Sequence, residues 1–314
     1  MKLVSVVAPV YNESAGVESF VERVEQVLSD WSGSFEILLV DDGSTDGSWP
    51  RIEAIAKSHD RVRGVKLSRN FGKDPALYAG LARARGDAAI VLDSDLQHPP
   101  ELMLDMLAEW QGGAEIVIAR KRTRPDQSFL VRLGSNMWGR IFGQLSGIDI
   151  RNTTDYRLVS RRVRDELLGH GVHRPFFRGD SSVLGFKTSV VDFDPAARGT
   201  GRSSFRLSSL AALAMRSITT FSTKPLHLVS AASVLLMIGA LLLGIQTLVH
   251  WINGTAQTGF TTVILLILFV GSLLLFGLGV IGEYIAAIFE AVRDRPAYIV
   301  EEDTGESQHD PRDR

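Results

Sequence analysis

The chain has 314 residues, 45% of them hydrophobic, and a formal net charge of −2, enough for one sizeable α/β domain with an appendage. It contains no cysteine, which excludes a disulfide framework, a thiolate metal site and a thiol nucleophile. The small net charge conceals a change of sign: residues 1–119 carry 11 Lys and Arg against 19 Asp and Glu, residues 120–224 carry 19 against 8, and residues 283–314 carry 4 against 9. An acidic half followed by a basic block suits two tasks, holding a cation and facing anions such as phosphates or lipid headgroups.

The opening MKLVSVVAPVYNES reads as a short apolar strand entering a turn, without the longer apolar core and small-residue cleavage site of a signal peptide. Strand and helix patterns then alternate, as expected for a largely parallel sheet. Leu3–Ala8 is the first strand and Ala15–Leu28 a helix. Glu36–Val40 is a strand ending in DDGSTDGS, where Ser44, Thr45 or Asp46 offers a helix cap. Val62–Leu67 is a strand, Pro75–Ala84 a helix, and Ala88–Leu92 a strand ending on DSD. Pro99 or Pro100 starts another helix, and Ala114–Ala119 resembles a further strand.

Residues 120–224 are less regular. Leu130–Leu145 reads as helical, and a strand-like VLGFKTSVVDF follows. Phe205–Thr220 places Phe205, Leu210 and Leu213 on one side, which suits an amphipathic helix lying at a membrane surface or docked on the domain. From Pro225 to Gly282 there is no Lys, Arg, Asp or Glu. Two apolar stretches inside that run, Leu226–Val249 and Phe260–Gly282, each have the length of a membrane-crossing helix, and a polar turn, HWINGTAQTG, joins them. Arg216 and Lys224 precede the hairpin and Arg293 and Arg295 follow it, so the positive-inside rule puts both termini in the cytoplasm. The tail from Glu301 is acidic and polar, the composition of a disordered segment. The expected organisation is a catalytic domain over 1–204, a juxtamembrane amphipathic helix over 205–224, a two-helix hairpin over 225–285 and a cytoplasmic tail over 286–314.

Three strand ends carry the chemistry. Asp93-Ser94-Asp95 follows an apolar strand, and in an open α/β sheet ligands sit beyond the carboxyl ends of strands. Two carboxylates one residue apart can reach one hard cation, Mg²⁺ or Mn²⁺, that also takes diphosphate oxygens. Asp41-Asp42-Gly43-Ser44 offers acceptors to a base or ribose, or else is simple turn chemistry. Pro9-Val10-Tyr11-Asn12-Glu13 offers an aromatic face and polar groups to a nucleoside. No GxxxxGK[ST] is present, and no GxGxxG follows a strand as a loop, the string GLGVIG at 277–282 lying inside the charge-free apolar run, so neither a dinucleotide enzyme nor a P-loop NTPase is supported.

PVYNE, VDDGSTDGS, SRNFGK and DSDLQHPPE, in this order, resemble glycosyltransferase family 2, of GT-A fold. FSTKPL before the hairpin and GVIGEYIAAIFEAVRDRPAYIV after it are similar to the polyisoprenyl-phosphate glycosyltransferases, and SRNFGKDPALYAGL is most similar to bactoprenol glucosyl transferases. The resemblance reaches to about Val300. It implies that Pro9, Tyr11, Glu13, Asp41 or Asp42, Arg69, Lys73 and Asp93 bind the nucleotide, and that Asp93, Asp95 and Gln97 surround Mg²⁺ or Mn²⁺ and the diphosphate. It implies catalytic roles for Asp95, Asp155 and Arg157, and an acceptor-phosphate site of Arg120, Arg132, Ser135 and Arg198. Where an R-x-x-G motif from Arg198 to Gly201 usually continues with an acid and later a lysine, Arg202 and Ser204 stand instead.

The implied reaction is an inverting transfer of a hexose, glucose from UDP-glucose first, with mannose, GlcNAc and amino-arabinose donors as alternatives. The acceptor would be undecaprenyl phosphate in the inner membrane. The implied partners are the nucleotide-sugar, the polyisoprenyl phosphate and the bilayer, with a homo-oligomer open and no nucleic acid. A phosphate monoester is already anionic, with a second pKa near ~6. Positioning and charge neutralisation should therefore outweigh a strong base. A processive polysaccharide synthase would carry QxxRW and more membrane helices, neither of which is present. A tethered nucleotide-sugar sensor would lack the strand-end carboxylates, and a transporter needs a polar pathway that two uncharged helices do not offer.

Overall fold

The computed structural model describes residues 2–122, 153–169, 175–194, 224–253, 259–292 and 296–305, and these fall into two units. The first runs β1 (Leu3–Val10), α1 (Val17–Leu28), β2 (Ser34–Asp41), α2 (Ser48–Ser58), β3 (Val62–Leu67), α3 (Lys73–Arg83), β4 (Ala88–Val91), α4 (Leu102–Gln111) and β5 (Ile116–Lys121). It continues with β6 (Thr153–Ser160), α5 (Arg161–Gly169), α6 (Phe177–Val183) and β7 (Thr188–Phe193), and closes with β8 (Val300–Asp303) after the second unit.

The strands form one sheet in the order β7-β5-β6-β4-β1-β2-β3-β8. Its centre, β4-β1-β2-β3, is parallel, as the alternating pattern predicts. Beyond it the sheet is mixed, because β6 lies antiparallel between β4 and β5, and β8 antiparallel against β3. Central parallel strands are covered on both faces and so read as continuous apolar runs. In β1 and β2 alternate residues serve opposite layers. Val4, Val6, Ala8, Ile37 and Leu39 join Phe20, Ile52 and Met103 of α1, α2 and α4. Val7, Leu38 and Val40 join Leu77, Val163 and Phe177 of α3, α5 and α6.

Two strands depart from the expectations. β6 was hidden by Asp155 and Arg157, charges that break the apolar signature of an inner strand. The acidic tail is not disordered where it is described: Val300–Asp303 pairs with β3, and Tyr298 and Val300 pack on the core. Its acids have partners that composition does not reveal, since Lys66 meets Glu301 and Glu302, and Arg63 and Arg83 both reach Asp303.

The second unit holds α7 (Lys224–Ile252) and α8 (Phe260–Val292). Among the described residues, α8 alone is long and apolar enough to cross a membrane, over Phe269–Ala286, while the apolar run Ala231–Gln246 of α7 is shorter. Leu275 is 71% exposed and Leu235 70%, a density of bare apolar surface that water does not tolerate well. The helices predicted at 130–145 and 205–220 lie outside the described residues.

Candidate active site

The strand register brings the sequence motifs together. Val10 pairs with Asp41 and Val7 with Val91, so PVYNE, DDGS and DSD leave neighbouring strands at one edge of the sheet. Because β6 runs antiparallel with Arg157 opposite Val91, Asp155 lies two residues farther along, level with Asp93. A cleft of about 340 Å³ opens there. Of the predicted residues, Pro9, Tyr11, Glu13, Asp42, Lys73, Asp93 and Asp95 line it, together with Asn70, Gly72 and Ser94.

Much of the conspicuous polar sequence builds the walls. Asn12, in the left-handed region at φ 54, donates its N–H to Ser44 Oγ at 2.9 Å and accepts from Thr45 N–H at 2.9 Å. Glu13 N–H donates to Ser48 Oγ at 3.1 Å and Ser14 N–H to Asp46 at 3.0 Å. Asp42 accepts from the N–H groups of Phe71 (2.7 Å) and Gly72 (2.9 Å), fixing the β3–α3 loop that carries Asn70 and Lys73. Asp41 is fully buried; Ser44 N–H reaches one of its oxygens at 3.3 Å and the other has no partner. Burial pushes both carboxyls above the usual range. Asp42 thus lines the cleft while supporting its rim, and Asp41 does not line it.

Ser94 Oγ lies 2.8 Å from the Pro9 carbonyl and also against the Glu13 carboxylate, so one hydroxyl proton serves two acceptors. Burial raises the pKa of Glu13, and the negative charges of Asp95 and Asp93 raise it further. Asp95 is exposed and accepts Gln97 N–H at 3.0 Å across Leu96, itself left-handed at φ 53. Gln97 therefore orients Asp95 through its backbone, and its exposed side chain is not part of the cleft lining. Among the described residues no three His, Cys, Asp or Glu side chains converge on one point. Two hard carboxylates fit Mg²⁺ or Mn²⁺ all the same, because Mg²⁺ usually takes one or two protein carboxylates and completes its shell with substrate phosphate and water.

A line of alternating charges runs from Asp93 and Lys73 of the cleft lining to Asp155 and Arg178, which do not line it. Lys73 Nζ lies 2.5 Å from Asp93 Oδ1 and 3.0 Å from Asp155 Oδ2, and Arg178 Nε donates to Asp155 Oδ1 at 2.9 Å. Burial alone would raise Asp155, but Arg178 and Lys73 outweigh it and hold the carboxyl at about 2. Asp155 stays ionised through the physiological range, suited to anchoring cations and too weak for a general base. Arg157 is fully buried rather than facing the cleft. Its guanidinium donates to the Thr154 carbonyl at 3.1 Å, the Arg178 carbonyl at 3.0 Å, Ser181 Oγ at 2.6 Å and Ser182 Oγ at 3.0 Å. Burial draws its pKa down to about 10. It touches no ligand surface; it positions α6 and, through α6, Arg178. Asp74 assists by accepting Phe177 N–H at 2.9 Å, and burial lifts its carboxyl to about 6.

The other predicted residues are placed elsewhere. Arg120 makes a forked pair with Asp192 at 2.7 and 3.0 Å across β5 and β7, outside the cleft lining. Arg69 lies over the Phe71 ring at 4.1 Å, also outside it. Arg132, Ser135 and Arg198, with Arg202 and Ser204, lie outside the described residues. His98, inside a motif but unassigned from sequence, is buried between the rings of Tyr156 and Phe193, with Nδ1 3.8 Å from Asp93. Burial lowers its pKa, which keeps an uncharged wedge behind Asp93.

Residues 5–173 match the family described as glycosyl transferase family 2. The chain belongs to glycosyl transferase family 2. It is 37% identical to the Bacillus subtilis glycosyltransferase YkcC over 96% of this chain and 94% of that protein. It is 36% identical to the SfII prophage-derived bactoprenol glucosyl transferase of Shigella flexneri over 95% of this chain and 97% of that one. Among solved structures, glucosyl-3-phosphoglycerate synthase of Mycobacterium tuberculosis in complex with uridine diphosphate aligns at 24% identity, covering 70% of this chain and 79% of that one with a TM-score of 0.49. The family 2 glycosyltransferase motifs quoted from the sequence are the ones that meet at the cleft. Asn70 and Ser94 lie inside the SRNFGK and DSDLQHPPE motifs, which alone assign them no role. Arg178, in RPFFRGD, carries no sequence signal for its place on Asp155.

Proposed function

We propose that this glycosyltransferase moves glucose from UDP-glucose to undecaprenyl phosphate, inverting the anomeric centre, at the cytoplasmic face of the inner membrane. The observation that carries the reading is the meeting of Asp93 and Asp95 with Tyr11, Asp42 and Lys73 in one cleft of a chain that also holds a long, exposed apolar helix. The near-full-length similarity to a bactoprenol glucosyl transferase supports the sugar and the lipid.

Asp93 and Asp95 would hold Mg²⁺ or Mn²⁺, which when bound offsets charge on the departing nucleoside diphosphate. Tyr11, 47% exposed, offers a face to the base, and Asp42 fixes the loop that delivers Asn70 and Lys73. Asp155 orients Lys73 and Arg178, consistent with an acceptor that arrives already anionic and needs no strong base. Arg132, Ser135 and Arg198 are assigned to the lipid phosphate, since arginine grips phosphate through parallel N–H···O bonds. Arg120, committed to Asp192, is the weakest member of that set. Purified enzyme in detergent should convert labelled UDP-glucose and undecaprenyl phosphate to an organic-soluble product. GDP-mannose and UDP-GlcNAc should give little. No lipid product from any donor would end this assignment, and preference for another donor would end the glucose part alone.

α7 and α8 are assigned to a two-helix membrane hairpin whose connecting loop faces away from the cytoplasm, with both termini inside. The support is the basic residues on both flanks and the charge-free run between them. In this cysteine-free chain, Asn253→Cys should react with an impermeant maleimide applied to intact cells and Ser307→Cys should not. The reverse pattern would refute the orientation.

A further inference from the structure

Lys73 begins α3 and sits in a cleft suited to a cation, where its ammonium already touches one of the two acids offered to that cation. Three facts give this contact a direction. Lys73 retains 39% side-chain exposure, so its four-carbon stem has room to swing. Asp155 gives the ammonium a second seat at 3.0 Å, and Arg178 pins that seat in place. Among the described residues no Lys, Arg or His side chain pairs with Asp95, which accepts the N–H of Gln97. Among the described residues, then, Lys73 offsets one of the two acids and not the other.

We infer that Lys73 is a built-in counter-cation for Asp93, holding that carboxylate until a divalent ion arrives with a nucleoside diphosphate and then shifting onto the diphosphate while keeping its grip on Asp155. The inference rests on the metal reading above and adds an order of events. A divalent ion entering alone must displace Lys73 from Asp93 and leave two cations side by side. An ion entering with a diphosphate brings the anion that receives the ammonium. Metal and nucleotide should then bind with strong mutual dependence, a coupling that is reciprocal and belongs to the pair of ligands. Lys73 would keep free metal out of the site and make Asp93 available when the donor is present.

The test is Mn²⁺ binding followed by electron paramagnetic resonance, with and without UDP, on the full chain in detergent. In wild type, UDP should tighten Mn²⁺ binding by about 100-fold, toward the upper end of usual coupling factors. In Lys73→Met, nucleotide-free Mn²⁺ should bind at least ~10-fold tighter than in wild type, and the UDP effect should shrink to about tenfold or less. Lys73→Arg, which keeps the charge, should stay near wild type. Melting curves establish that each variant is folded, and Lys73→Gln replaces Lys73→Met if the latter is not. Mn²⁺ binding in wild type that Lys73→Met leaves unchanged or weakens overturns the inference alone. Wild type that binds no Mn²⁺ even with UDP overturns the metal reading, and this inference with it.

Discussion

Asp95→Asn should lower turnover at least ~10²-fold, as loss of one group from a preorganised electrostatic site does, and EDTA should silence wild type until Mg²⁺ or Mn²⁺ is restored. The expectation follows from where Asp95 sits. It is exposed, it immediately precedes the left-handed Leu96, and it is oriented by a backbone N–H at 3.0 Å. Leu96 packs its side chain against the core while Asp95 stays exposed beside it, so the strained turn holds a carboxylate in the cleft, which points to a ligand for Asp95. For the same reason Asp95→Asn should melt within a degree or two of wild type, since exposed substitutions usually stay within about ±0.5 kcal/mol. Asp93→Asn differs, because it also releases Lys73 from half of its contacts. A fully active Asp95→Asn enzyme, or activity indifferent to chelation, would remove the metal from the mechanism.

The second large effect is expected at Gly43. Its φ is +65°, and a Cβ there would lie 2.4 Å from the Arg69 carbonyl carbon and 2.6 Å from Asn70 N. The DDGS turn thus presses directly on the backbone of the loop that Asp42 holds. Gly47, four residues on, has φ +90° but nothing within 4 Å of such a Cβ. Alanine at both positions carries the left-handed backbone cost of about 1–2 kcal/mol. Only Gly43→Ala must also push two backbones apart, adding roughly 1–3 kcal/mol. Gly43→Ala should therefore melt well below Gly47→Ala and bind UDP-glucose at least ~10-fold more weakly, because the displaced loop carries Asn70, Gly72 and Lys73. Calorimetric melting and titration of the two variants side by side separate the terms. Equal behaviour would mean that the close approach has no functional weight.

These two positions show what sequence makes legible. The central strands were readable because a strand covered on both faces is an apolar run, and the motifs at their ends were readable because carboxylates after such a run have few structural uses. Which acid faces the ligand was not readable. Asp41, Asp42 and Asp46 look equivalent in DDGSTDGS, yet one is buried, one holds a neighbouring loop and one ties the YNES turn. Arg157 was misjudged for a related reason. It shares a strand face with Asp155, two residues away, and its length carries it past the cleft to the Ser181 and Ser182 hydroxyls of α6. Long-range pairing hid the rest: β8 meets β3 more than 230 residues away in sequence, and no local pattern announces a partner at that distance.

That pairing has a consequence for the order in which the protein is made. β3 is complete by Leu67, but one of its edges stays open until Val300–Asp303 has been synthesised, after both long apolar helices. An unpaired strand edge is a template for unwanted association. The sheet cannot be closed, and Arg63 and Arg83 cannot reach Asp303, until α7 and α8 have left the ribosome. Any chain that stops before this strand, however intact its cleft residues, carries an unfinished catalytic sheet. Closure of the sheet at β3 is in this way tied to completion of both apolar helices.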